Sequence, residues 1–286
     1  LTYSVIITKF IHRFYIEETD KEKKMNLKKK VLKAVFVNSI FLALSISLVA
    51  QALDPMAPGR RNVSYPAADG TSIRGYLAVP EGQGPFPAVI LIHEWWGLNE
   101  DTAILADALA KEGFVVLAAD AFRGKVAREA AEARKQTTET PAAQIASDLD
   151  AAHHFLASHP RVRKDKIAVW GFCFGGTQSM RMGARNPGLA AVVIFYGGGP
   201  FQNAADLGNM DKAGPVLGIY GEKDQGIPVE QVRKFEAALK ERGIRHTITI
   251  YPDVGHAFVK STTYNKGGAP EQAWRQAVDF LKEVLK

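Results

Sequence analysis

The sequence predicts an α/β fold, a mostly parallel sheet with helices on both faces and an antiparallel hairpin at its N-terminal end. Two observations carry this. Continuous apolar runs at 88–92, 115–119, 167–171, 189–195 and 215–220 read as strands covered on both faces. Between most of them lie stretches with apolar residues at helical spacing, and that alternation gives a parallel sheet. With 286 residues, 47% of them hydrophobic and 23% charged, the chain is long enough for one large core.

The elements follow in order. Segments 63–65 and 73–79 flank Ala-Ala-Asp-Gly-Thr, a hairpin with Asp69-Gly70 at its turn. After strand 88–92, Asn99 caps a helix with Glu100 and Asp101 in its first turn, and Gly113 ends it. Strand 115–119 leads into a helical region over 126–158, broken before Pro141, with Ile145, Leu149, Ala152 and Leu156 on one face. Strand 167–171 passes at once into a helix reaching about Ala184. Beyond strands 189–195 and 215–220, a helix over 228–242 buries Val229, Val232, Phe235 and Leu239. Strand 246–251 and a closing helix with Trp274, Val278, Leu281 and Leu285 on one stripe complete a single domain over 63–286. Residues 53–62 read as a linker.

The formal charge of +6 is unevenly placed. Residues 1–52 hold nine Lys/Arg against four Asp/Glu, and beyond them 27 basic and 26 acidic residues nearly cancel. The basic balance is therefore no argument for nucleic-acid binding. Residues 25–52 have the form of a signal peptide: Met25-Asn-Leu-Lys-Lys-Lys30, a mainly apolar stretch, then Ala50-Gln51-Ala52. Cleavage after Ala52 would give a periplasmic or secreted protein, and an uncleaved leader would anchor it in a membrane. Met25 is the expected start, with residues 1–24 an early-placed start or a leader extension. Cys173 is the only cysteine, so no intrachain disulfide forms. The oligomeric state stays open, a monomer being compatible with the sequence.

The most informative residues are Gly171-Phe-Cys173-Phe-Gly175-Gly176, at a strand-to-helix junction. A nucleophile on so tight a turn needs neighbours two residues away that lack bulk, which is the nucleophile-elbow pattern with Cys for Ser. The helix N-terminus behind Cys173 favours the thiolate and offers the Phe174 N–H to a developing oxyanion. A buried structural Cys is the plainer alternative. Asp224 follows the strand ending at Tyr220, and His256 follows the last strand. That order, nucleophile, acid, His, is the order of α/β-hydrolases, whose sites form beyond the carboxyl ends of the strands. Asp224 would orient the His256 ring, and His256 would carry protons. Glu222 and Asp253 rank lower as the acid. His93-Glu94 lacks the second His of H-E-x-x-H, and His153-His154 read as a core-and-surface pair, so no metal is inferred. No nucleotide or flavin cofactor is inferred either.

Over about residues 60–286 the chain resembles the dienelactone hydrolase family of the α/β-hydrolase superfamily. The resemblance rests on His93-Glu94-Trp95-Trp96-Gly97, Gly-Phe-Cys-Phe-Gly-Gly, Gly-Glu-Lys-Asp-Gln-Gly-Ile-Pro and Gly-His-Ala-Phe. It implies hydrolysis of a small ester or lactone. It further implies that Glu94 contacts the resting thiol and helps take its proton, and that the Trp95 N–H is the second oxyanion donor. Trp96 would wall the pocket, and Tyr196, just before Gly197, is a further candidate for substrate contact. Lys260 and Arg123 stand where lactone-cleaving members hold a substrate carboxylate with arginines, and Lys260 cannot make the planar two-point contact. Two other classes compete: a non-catalytic ligand-binding relative, and a thiol-based redox protein, which would need an outside thiol. Ester turnover set against peroxide consumption separates them.

Overall fold

A computed structural model describes residues 54–286; the expected leader extension, signal peptide and cleavage point lie outside the described residues. Residues 55–286 form one compact unit. Eight strands make one sheet in the order β1-β2-β4-β3-β5-β6-β7-β8. The hairpin β1 (Val63–Pro66) and β2 (Ser72–Ala78) is antiparallel, and β2 also runs antiparallel to β4 (Val115–Ala119). From β4 onward neighbours are parallel: β3 (Phe86–Ile92), β5 (Val162–Phe172), β6 (Ala191–Phe195), β7 (Val216–Gly221) and β8 (His246–Tyr251). All residues of β4, β6 and β7 are buried, as continuous apolar runs require.

The described residues form six α-helices: α1 (Glu100–Lys111), α2 (Ala130–Glu139), α3 (Ala142–Ser158), α4 (Phe174–Arg185), α5 (Val229–Glu241) and α6 (Gly268–Val284), of which all but α2 pack on the sheet. The Asn99 side chain caps α1 by accepting from the Thr102 N–H. Behind β5 and β6, Trp170 stacks on Phe195 with centroids 5.2 Å apart and meets Trp274 of α6 at 5.1 Å.

Three stretches depart from expectation. The helical region begins at Ala130 rather than 126, because the chain before it is not helical: Glu129 is extended, and the Ala127 N–H donates to the Trp96 carbonyl. Strand β5 starts at Val162, five residues early. Its polar residues Arg163 to Lys166 sit where the pairing with β3 jumps from Phe86–Val162 to Ala88–Ile167, so no apolar pattern marks them. From Pro55 the segment read as a linker is hydrogen-bonded to the domain. The Pro55 and Ala57 carbonyls accept from Asp101 and Glu100, and Arg61 pairs with buried Asp120 at 2.9 Å. In α5, Val229 is half-buried, and Ala238 joins Val232, Phe235 and Leu239 in the core.

Candidate active site

Cys173 ends the β5-to-α4 junction at φ 54°, a left-handed conformation that costs a non-glycine residue energy. The turn is this tight because the flanking glycines allow it. A Cβ on Gly171 would strike the Gly175 carbonyl, and one on Gly175 would strike the Ile92 carbonyl. The strain sets the thiol at the start of α4, where the Phe174 and Trp95 N–H groups act on the sulfur. Burial, then the Glu94 charge, push the thiol up to about 12, while those two N–H groups pull it down. The resting group is therefore a neutral thiol.

Glu94 follows β3. Burial and then the Asp101 charge push its carboxyl up to about 7, with Lys260 and the Trp96 side chain acting in the opposite sense. Its Oε1 is buried and has no hydrogen-bond partner. The loop carrying Glu94, Trp95 and Trp96 is fixed at each carbonyl. Glu94 O accepts from His93 Nδ1 at 2.5 Å, Trp95 O from Gln136 Nε2 at 2.6 Å, and Trp96 O from the Ala127 N–H at 2.8 Å. Trp95 and Trp96 are half-buried and meet edge to face at 5.1 Å.

Asp224 and His256 come from adjacent loops. After β7 and β8 the chains stay joined, with the Lys223 N–H donating to the Val254 carbonyl at 2.9 Å. Asp224 is 3% exposed; its Oδ1 accepts from the Gly226 and Ile227 N–H groups at 2.8 and 3.0 Å. Its Oδ2 lies 2.6 Å from His256 Nδ1, which leaves the Nε2 edge of the ring open for chemistry. Glu222 and Asp253 point outward, and exposed Asp253 pairs with Lys223 at 2.7 Å.

Cys173, Glu94, Trp95, Phe174, Asp224 and His256 thus lie at one end of the sheet, and the Lys260 charge bears on Glu94. Tyr196 has a different setting from the one expected of a substrate contact. It is fully buried at φ 39°, donates its hydroxyl to the Val259 carbonyl at 2.9 Å, and meets the His256 ring edge to face at 5.1 Å. Arg123 is committed elsewhere: both sides of its guanidinium bond Asp148 at 2.7 Å, and its remaining nitrogen bonds Asp69 at 2.8 Å. His153 is half-buried and His154 exposed. Sequence reasoning passed over Gln136, and it placed Asp101 only as a first-turn acid of α1. Gln136 is a buried polar residue on a helix of low hydropathy, the one signal that marks it.

Residues 73–285 match the dienelactone hydrolase family. The chain belongs to that family. As a dienelactone hydrolase family member it is a carboxylic-ester or lactone hydrolase on an α/β-hydrolase fold. It is 32% identical over 238 residues to a Methylorubrum extorquens protein named "Putative carboxymethylenebutenolidase", covering 77% of this chain and 80% of that protein. It is 32% identical over 226 residues to protein usf of Aquifex pyrophilus, covering 76% and 96% of the two chains. Among solved structures, a dienelactone hydrolase-like promiscuous phosphotriesterase from metagenomic libraries superposes with a TM-score of 0.67 at 26% identity, covering 78% of this chain and 98% of that one.

Proposed function

We propose that the protein hydrolyses a small carboxylic ester or lactone through a Cys173 acyl-thioester, with Asp224 and His256 completing a triad. The observation that carries this is the placement of the Cys173 sulfur before the Trp95 and Phe174 N–H groups, with Glu94 beside it. As a substrate carbonyl arrives, Glu94 takes the thiol proton, and the thiolate attacks the carbonyl carbon. The two N–H groups hold the oxyanion. Collapse breaks the ester C–O bond, and the alkoxide leaves with the proton that Glu94 took from the thiol. His256 Nε2 then draws a proton from water, the hydroxide adds to the thioester carbonyl, the C–S bond breaks to release the acid, and the departing thiolate takes the proton back from His256. The Lys260 charge near Glu94 favours substrates carrying a negative group, and its lack of a planar fork predicts weaker discrimination among them than an arginine gives. Signal-peptide export to the periplasm or medium remains part of the proposal.

Brief mixing with p-nitrophenyl acetate, followed by digestion and mass spectrometry, tests the intermediate. An acetyl group on the Cys173 peptide that decays as product forms is expected. An acetyl group on any other residue, decaying with the same kinetics, removes Cys173 as the nucleophile.

Glu94 gives the reaction its pH dependence. A carboxyl held near pH 7 is a base only when ionised, so acylation rises with pH through about 7. Glu94→Gln is expected to lose that limb and about 10² of the acylation rate. Stability moves the other way. Below the ordinary carboxyl range both states hold the proton, and as pH rises toward 7 the unfolded chain releases it first, weakening the fold. Glu94→Gln should therefore raise the unfolding free energy at pH 8 by about 1–2 kcal/mol. A pH–rate profile identical in the two proteins would exclude Glu94 as the base.

A further inference from the structure

We infer that His93 is a positioning residue whose neutral, tautomer-locked ring aims both oxyanion N–H groups. The inference rests on the reading of Trp95 and Phe174 as oxyanion donors. His93 is fully buried, and its two nitrogens have fixed and opposite tasks. The Ala121 N–H lies 3.1 Å from Nε2 and can only donate, so Nε2 accepts and carries no proton. The proton is therefore on Nδ1, which donates to the Glu94 carbonyl at 2.5 Å. Burial lowers the proton affinity of the ring and keeps it in this form, since a second proton would face the Ala121 N–H.

The Glu94 carbonyl and the Trp95 N–H belong to one planar trans peptide and point in opposite directions. Holding the oxygen therefore sets the direction of the N–H. The Gly97 N–H adds a weaker bond to the same oxygen at 3.3 Å. On its face, the ring stacks almost parallel to Phe174, with centroids 5.9 Å apart and planes 13° from parallel. Phe122 closes the cluster, 5.1 Å from His93 and 4.9 Å from Phe174. One imidazole thus braces the peptide that presents one donor and the side chain of the residue that presents the other. It touches no reacting atom, and its effect falls mainly on steps that build charge on a carbonyl oxygen, with a smaller one on the thiolate that the same two N–H groups favour.

That difference in size gives the test. Acylation of Cys173 by an ester builds an oxyanion, and alkylation of Cys173 by iodoacetamide does not. Both rates are measured on the whole protein for wild type, His93→Phe, which keeps the stack and loses both hydrogen bonds, and His93→Asn, whose amide N–H reaches the Nδ1 position. His93→Phe is expected to lose about 100-fold in acylation while alkylation, which loses only the thiolate stabilisation, falls by about tenfold or less, and His93→Asn to recover at least tenfold of the acylation loss. Where His93→Phe does not fold, His93→Gln replaces it, since its amide reaches the Nε2 position and leaves the Glu94 carbonyl unheld. Acylation and alkylation falling by the same factor, or His93→Asn showing no recovery, would overturn the positioning role. Failure of wild type to acylate at Cys173 would instead count against the proposed reaction.

Discussion

Turnover is expected to fall by about 10⁶-fold when Cys173 is replaced by alanine, leaving only what binding and the proposed oxyanion donors supply. The substitution removes the one atom that both N–H groups, Glu94 and the helix terminus surround, and adds nothing in its place. The elbow should survive, because alanine at φ 54° carries the same backbone cost as cysteine. Circular dichroism and thermal melting check the fold, and p-nitrophenyl acetate hydrolysis checks the chemistry. Cys173→Ser should retain a trace, since a hydroxyl is a weaker acid than a thiol and gains less from Glu94. Hydrolysis by Cys173→Ala within tenfold of wild type would end the acyl-thioester reading.

Asp224→Asn should cost about 10⁴-fold in steady-state turnover. The reason lies in how the carboxylate is held. Its Oδ1 accepts two backbone N–H groups, so an asparagine keeps its oxygen there and turns its NH₂ toward His256. The ring must then accept at Nδ1 and carry its proton on Nε2, the wrong edge for drawing a proton from water. In the proposed reaction Glu94 rather than His256 takes the thiol proton, so one acylation should still occur. The expected record is a single burst of product and an acetyl group that persists on Cys173. Asp224→Asn turning over continuously at the wild-type rate would show that the His256 tautomer does not matter.

Much of this was legible in the sequence, for identifiable reasons. Strands β3, β4, β6 and β7 are buried on both faces, so their apolar runs are unbroken, and the Asn99 cap and the Gly171–Cys173–Gly175 spacing are local signals. What escaped depends on partners distant in the chain. The early part of β5 is polar and paired only across a register shift. Gln136 serves a loop 41 residues away. Tyr196 looks like a pocket residue in sequence, yet its hydroxyl goes to the Val259 carbonyl and its ring to His256. His93 attracted notice only as part of the family resemblance and as half of a zinc motif, because the Ala121 N–H it meets comes from 28 residues away.

One clasp ties the ends of the site together. Asp101, at the start of α1, accepts both the N–H and the hydroxyl of Ser261, at 2.9 and 2.6 Å, across 160 residues. The start of α1 is thus pinned by a residue just past His256. In the proposed reaction the nucleophile, its donors and the acid all precede the histidine in the order of synthesis. Turnover then waits for the last strand to dock and bring His256 to the site, so the finished fold, rather than the nucleophile, sets when hydrolysis begins.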